Sequence, residues 1–441
     1  MITAELLSDL KSILSEEQMI EGESENHLLG NSGQVTIYPK SEEEIANVLK
    51  YANNHRKKIT VSAGETKRGF GGIIDSADIL LSLANYKGIV EHTPGDMTLT
   101  VKAGTPFKEL QDYLAEHKQK VSLDPAWPEY ATIGGIIASN ESGPKRLGYG
   151  AGRDVVIGLR MVYPDGTIIR SGGKVVKNVA GYDMNKLFIG SMGTLGVVTE
   201  VTMKLRPLAK YESLVLLSFP EGNVEEIRSF AIHLLDSVME PTALELLSPA
   251  LSQKLIGENL HTLAIGFEDV ESSVHYQEEY VKKIQPANSK MKILQQKEAQ
   301  AFWDKIYSIG PNGAAPAAGS EIEASLKIGV TNLDVLHVIN ISQQLKDTHN
   351  VVVEAHGGIG HGLCQVNLKG ASEDIESAID QLRNSVNQLG GYVIVKHLPL
   401  SLRKKINIWG ENPSYFFLLE GIKSKIDPNS VLNHKRYVGG I

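Results

Sequence analysis

The sequence predicts an α+β protein of two domains, a ligand-binding domain followed by an α/β cap. Three observations carry this. A chain of 441 residues exceeds what one ordinary core absorbs. The first half combines a strand–helix–strand unit at 37–63 with hairpins that close on PGD and PDG turns. After RPLAK, 206–210, the composition shifts to apolar runs such as SLVLLSF and VVVEA, interleaved with amphipathic helices such as VEEIRSFAIHLLDSV. The expected division is a helical segment at 1–30, the ligand-binding domain at 31–210, the cap at 211–395, and a tail at 396–441 that returns to the domain boundary.

The elements follow in order. MITAELLSDLKSILSEEQMI alternates apolar and charged residues at helical spacing and has no long apolar run, so it reads as neither signal peptide nor membrane span. Ser41 and Glu44 form a capping box before a helix whose Ile45, Val48, Leu49 and Ala52 share one face. ITVSA is the next strand, and it runs into the glycine-rich loop SAGETKRGFGG, 62–72. A hairpin spans 86–104, and Thr105 with Pro106 opens a helix that turns Phe107, Leu110 and Leu114 inward. Residues 124–152 show much glycine and little periodicity, the mark of a functional or a disordered region. A second hairpin covers 159–171, and GPNGAAPAAG, 310–319, reads as a mobile surface loop.

A net charge of −8 leaves no basic face for nucleic acid or for a membrane surface. The single cysteine, Cys364, rules out an internal disulfide and cannot by itself form a zinc or iron–sulfur site. No metal site and a cytoplasmic location are the expectations.

The loop at 62–72 carries Gly64, Gly69, Gly71 and Gly72 together with Lys67 and Arg68, a composition suited to holding a phosphate. Its spacing fits neither a Walker loop nor the dinucleotide fingerprint G-x-G-x-x-G. Three more glycine-bearing stretches share the same half of the chain: ATIGGIIASNESG, YGAGRDVVIG and GSMGTLGVVTEV. Each alone reads as a close helix–sheet contact or a turn. Together they form an ordered set on one domain.

With these stretches, and with KVVKNVAGYDMNKLFIGSMGTLGVVTEVTMKLRP and the closing IDPNSVLNHKRYVGGI, the sequence resembles the FAD-binding flavoproteins of the vanillyl-alcohol oxidase and p-cresol methylhydroxylase family. Within that family it is most similar to the flavin-bearing chains of bacterial glycolate oxidase, above all the second of them, and to D-lactate dehydrogenases. The resemblance implies a two-subdomain FAD-binding domain of the p-cresol methylhydroxylase (PCMH) type at 31–210. It implies that backbone around Ala63, Gly64, Glu65, Thr66, Lys67, Arg68, Gly69 and Gly71 cradles the FAD diphosphate. Thr132, Gly134 and Gly135 would approach the diphosphate and ribityl chain, and Ser139 and Asn140 the isoalloxazine. Val197 and Val198 would hold the adenosine end, with Pro125, Gly143 and Arg153 completing the set. Arg153 and Asp154 are expected as a pair beneath the flavin or in contact with it. Histidyl flavin attachment in this family arises from the pyrophosphate loop, and 62–72 contains no histidine, so FAD is expected to be noncovalent.

The resemblance also implies oxidation of a small 2-hydroxy acid of the glycolate or D-lactate class. That chemistry needs a hydride acceptor, a base and a cation for the carboxylate. The family segment H-x-G-D-G-N-L-H corresponds to HGGIGHGL, 356–363, where Ile359 replaces aspartate and Leu363 replaces the last histidine. The later E-H-G-I-G is missing, and VKHLPLSLRKK stands near its place. His356, His361 and His397 are candidates for the base, and Lys396, Arg403 or Lys404 for the carboxylate clamp, Arg403 foremost. The alternative is a non-catalytic or electron-relay flavin subunit beside a second flavin subunit and an iron–sulfur subunit.

Overall fold

The computed structural model describes residues 4–22, 27–174, 181–316 and 321–441. Part of KVVKNVAGYDM and the end of GPNGAAPAAG therefore lie outside the described residues.

Two sheets build the flavin-side domain. The first has strand order Met19–Glu21, Ser32–Ile37, Ser76–Ser82, Ile59–Ser62. Its last three strands are parallel, and the helix Glu42–Asn54 makes the crossover. Ser41 Oγ caps that helix by accepting from Glu44 N–H at 3.1 Å. The second sheet is antiparallel, ordered Ile89–Thr93, Thr98–Lys102, Val197–Lys204, Val156–Val162, Ile168–Gly172. One apolar core joins the two sheets, and both chain ends contribute to it: Leu6, Leu10 and Leu14 from one, Val431 and Leu432 from the other. The amino-terminal helix is short, Ala4–Lys11, and a strand follows it, so the segment 1–30 is only partly helical. The tail does more than return to a boundary. It adds backbone to the strand edge, with Ile59 N–H donating to Val431 O at 2.8 Å and Asn433 N–H to Ile59 O at 2.8 Å.

The cap is an eight-stranded sheet, antiparallel throughout, ordered Lys290–Gln295, Tyr211–Phe219, His261–Asp269, Ala243–Leu247, Val352–Gly358, Leu363–Gly370, Ile322–Gly329, Tyr392–His397. SLVLLSF is apolar at consecutive positions because both of its faces are buried. On one face Val215 and Leu217 share a core with the helices Val224–Leu235 and Glu271–Ile284, and Val335–Thr348 and Ser372–Gln388 cover the strands at the other end of the sheet, whereas Leu214 and Leu216 share a core with Pro249–Ile256 and Lys297–Tyr307.

The glycine- and alanine-rich stretch departs from expectation in its described part. Asn312 is buried, and Gly313 N–H donates to Thr66 O at 3.1 Å, so residues 310–316 pack against the loop at 62–72. Small residues are required there by close approach of two backbones, which sequence composition alone does not distinguish from mobility.

Candidate functional site

Two adjoining lobes, with about 840 and 1280 Å³ of space counting their open mouths, share Lys67, Ser139 and Met192; the first lies within the flavin-side domain and the tail, and the second between that domain and the cap. The first lobe sits at the carboxyl end of Ile59–Ser62. It brings together Ala63, Gly64, Glu65, Thr66, Lys67, Arg68, Thr132, Gly134, Gly135, Ser139, Val197 and Val198. Among the described residues nothing accepts from the backbone N–H groups of 63–67, which leaves a run of free donors facing a concave wall. Thr132 caps the helix Ile133–Ser139, and a Cβ on Gly135 would meet only Thr132 Oγ1, at 3.3 Å, so that glycine leaves the lobe open. These donors and this cradle fit the diphosphate of FAD.

Other members of the expected set have different work. Gly69 and Gly71 line neither lobe. A Cβ on Gly69 would lie 2.7 Å from His397 Nδ1, and one on Gly71 would lie 2.2 Å from Arg436 O. They are glycines because the tail and the cap edge press on the loop from behind. Pro125 is buried and also lines neither lobe. Arg68 turns its tip away from a free-phosphate role: it donates to Gly30 O at 3.1 Å and Ser32 Oγ at 3.0 Å and pairs with Glu65 at 2.9 Å. Asn433 and Arg436, from the tail, are absent from the sequence-based set. Arg436 donates to Val61 O at 3.1 Å and Lys67 O at 3.3 Å, which ties the tail to the same loop.

Asn140, Gly143 and Arg153 line the second lobe, with His356 and His361. Arg153 and Asp154 do not pair with each other. Arg153 donates to Lys186 O at 3.3 Å, and Asp154 accepts from Ala151 N–H at 2.8 Å. His356 Nδ1 stands 2.8 Å from Glu245 Oε2, and His361 Nε2 3.5 Å from Glu245 Oε1. Burial works to raise the Glu245 carboxyl, but hydrogen bonds and charge from the two histidines hold it below its ordinary value. Glu141, fully enclosed, is likewise pulled down against its burial by Lys67 and Lys396, to which it forms ion pairs. Lys327 also faces this lobe, and its ammonium forms no ion pair or hydrogen bond among the described residues. Burial, with repulsion from Lys396 and Arg146, lowers that ammonium to about 8. Burial pushes the Asp124 carboxyl, on the same wall, up to about 7, although it accepts from Gly143 and Lys145 N–H. Glu245 and Lys327 escape a reading by motif, yet each is the one charge inside a run of otherwise uncharged, mostly apolar strand residues, ALELL and ASLKIG, and that is the signal that could have found them.

Two expected catalytic candidates fall outside the cavity. His397 is buried behind Gly69, and burial followed by the nearby Arg403 lowers its imidazole to about 4. Arg403 is 2% exposed and donates to Gly72 O at 2.9 Å and to the carbonyls of Gly71 and Leu29. The short helix Leu400–Arg403 turns that side chain into the domain seam instead of towards the cavity. Lys404 pairs at the surface with Asp75, at 3.0 Å. Cys364 borders the second lobe as a buried thiol, raised well above its ordinary value by burial. Among the described residues no group of three or more His, Cys, Asp or Glu is arranged to hold a metal ion.

Fold and cavity together define a two-domain flavoprotein. Residues 33–172 match the family described as FAD binding domain, and the chain carries that domain and binds FAD. The fold is shared with p-cresol methylhydroxylase with substrate bound, at a TM-score of 0.74 and 15% identity, over 99% of this chain and 97% of that one. Among curated relatives, the mitochondrial D-lactate dehydrogenase [cytochrome] of Arabidopsis thaliana is 32% identical over 255 residues, 56% of this chain and 44% of its own length. Glycolate oxidase subunit GlcD of Bacillus subtilis is 25% identical, over 90% of this chain and 87% of the relative. Glycolate oxidase subunit GlcE of Escherichia coli is 40% identical over 128 residues, 29% of this chain and 37% of the relative. The matches with the first and last of these span less than half of each relative. No helix among the described residues is long and apolar enough to cross a membrane.

Proposed function

We propose that the chain is an FAD-dependent dehydrogenase of a small 2-hydroxy acid, of the glycolate or D-lactate class, that delivers electrons to a partner protein. The observation that carries the reading is the pairing, in the lobe next to the FAD cradle, of a carboxylate-oriented histidine with an ammonium that has no carboxylate of its own. Glu245 accepts from His356 Nδ1–H, so the neutral ring holds its lone pair on Nε2 and can take the substrate hydroxyl proton there. The imidazolium that results is stabilised by Glu245. Lys327 supplies the charge for the substrate carboxylate, because a buried anion without a partner is costly. Bound FAD supplies the hydride acceptor. Relatives named as D-lactate dehydrogenase and glycolate oxidase subunits support the substrate class.

A second reading, a flavin subunit that relays electrons without oxidising substrate beside another flavin subunit and an iron–sulfur subunit, draws support from the GlcE match. The single cysteine means that any such cluster belongs to another chain. Anaerobic stopped-flow mixing with glycolate and D-lactate separates the two. Bleaching of the flavin absorbance in the isolated chain is expected. Its absence, with bleaching restored only in a complex, establishes the relay. On the first reading, Lys327→Met should raise the apparent KM by more than about tenfold with FAD content unchanged. The wild-type KM should rise above pH 8 as the ammonium loses its proton, a trend the variant lacks.

A further inference from the structure

The cap segment after Lys297–Tyr307 reaches from the wall of the second lobe to the back of the loop at 62–72. Tyr307 lines that wall. Further along, Gly313 lies directly on the loop: its N–H donates to Thr66 O at 3.1 Å, and a Cβ there would stand 2.6 Å from Glu65 O and 2.9 Å from Arg68 N. No side chain fits without displacing one of the two backbones. The segment is gripped from the flavin-side domain as well. Trp127 Nε1–H donates to Gly310 O at 3.0 Å and Trp127 N–H to Tyr307 O at 3.0 Å, and Trp127 holds a left-handed φ of +53° to do so. Asn312, buried at 6% exposure, closes the turn by accepting from Ala314 N–H at 3.0 Å. Neither Gly313 nor Trp127 lines the FAD lobe.

We propose that residues 310–316 form a strap that holds the pyrophosphate loop in its FAD-binding shape, with Gly313 and Trp127 as positioning residues. The free N–H donors of 63–67 bind a diphosphate only if they are already aimed at it, and a glycine-rich loop does not hold such a shape by itself. The strap supplies the missing support from the side opposite the ligand. The strap also follows directly on the helix whose last residue, Tyr307, lines the second lobe.

The proposal rests on the FAD reading of the first lobe, and the test keeps the two apart. Holoprotein is diluted and the release of FAD followed by recovery of free-flavin fluorescence, for wild type, Gly313→Val and Trp127→Phe. Gly313→Val is expected to release FAD about tenfold faster, with some loss of flavin-free stability from overpacking, and Trp127→Phe several-fold faster, with the thermal midpoint of the flavin-free protein near wild type. Wild-type protein that retains no FAD overturns the FAD reading and the strap with it. Wild type that retains FAD, with both variants releasing it at the wild-type rate, overturns the strap alone. A fall in the flavin-free stability of Trp127→Phe that matches its gain in release rate also overturns it, since the contact then serves the fold and not the loop's shape.

Discussion

The Arg403 guanidinium donates to the carbonyls of Leu29, Gly71 and Gly72, and no carboxylate takes part. Burial, then repulsion from Arg436, lowers it to about 9, so it is held by backbone oxygens at an electrostatic cost. A cation so enclosed cannot reach a substrate. Arg403→Met should therefore leave the buried carbonyls of Leu29 and Gly72 without donors, Gly71 O keeping that of Asn31 Nδ2, and lower stability by about 3 kcal/mol, with reduction kinetics of the surviving folded protein unchanged. Urea titration with flavin absorbance as a second signal reads both. A raised KM with an unshifted midpoint would restore the carboxylate-clamp role. Sequence shows that the segment LSLRKK offers cations but not which of them points inward: the guanidinium is 2% exposed whereas the neighbouring Lys404 is paired at the surface.

Among the elements, the helix Ile133–Ser139 gives its two adjacent glycines opposite tasks. Gly134 N–H donates to Ala103 O at 2.8 Å, and a Cβ on Gly134 would stand 2.7 Å from the Ala103 Cβ, so this position sets how closely the helix approaches the sheet. Gly135 looks into the lobe. Gly134→Val should then cost about 1–3 kcal/mol of stability through overpacking. Gly135→Leu should abolish FAD retention while the thermal midpoint of the flavin-free protein holds. Purified protein and its flavin-to-protein absorbance ratio decide this, and full flavin occupancy in Gly135→Leu would place the cofactor elsewhere. The doublet was legible as close-packing in the sequence, but its division into a structural and a ligand-facing position follows from the rotation of one residue about a helix axis.

At the scale of the molecule, a buried ionic network joins the domains. Lys120, Lys145 and Tyr149 of the flavin-side domain surround Glu268 of the cap, with Lys145 Nζ at 2.7 Å and Tyr149 OH at 2.7 Å from its carboxylate. Lys145 also pairs with Glu212. Burial acts to raise the Glu268 carboxyl, but the two lysines outweigh it and bring it to about 2. A depressed carboxyl adds stability that is complete above its ordinary value of 4.5 and is lost as pH falls towards 2. Acid should therefore loosen the cap from the flavin-side domain across that window. Glu268→Gln, which leaves the buried Lys120 ammonium without a carboxylate and Lys145 with Glu212 alone, should cost about 3 kcal/mol at neutral pH and flatten the acid transition. Near-UV circular dichroism against pH tests it, and an acid midpoint identical in both proteins would remove Glu268 from the account.

Local chemistry was readable from the chain alone: the strand–helix–strand unit with its Ser41 cap, the hairpins at PGD and PDG, the glycine set around 62–72, 131–143 and 190–201, and the resemblance those stretches carry. Such features depend on neighbours within a few residues, where periodicity and turn chemistry act. Tertiary structure decided which charges meet. Glu245 and His356 are joined across paired strands at the Leu247–His356 register, Glu141 gathers Lys67 and Lys396 from opposite domains, and Gly313 comes to rest on Thr66. Contacts of that kind join residues tens to hundreds of positions apart, and a one-residue slip in register turns a strand's side chains to its other face. Composition therefore predicted a phosphate-holding loop and a second domain, and the resemblance a flavin and a cap, whereas strand register and domain docking decided which histidine and lysine face the cavity and which backbone meets the loop.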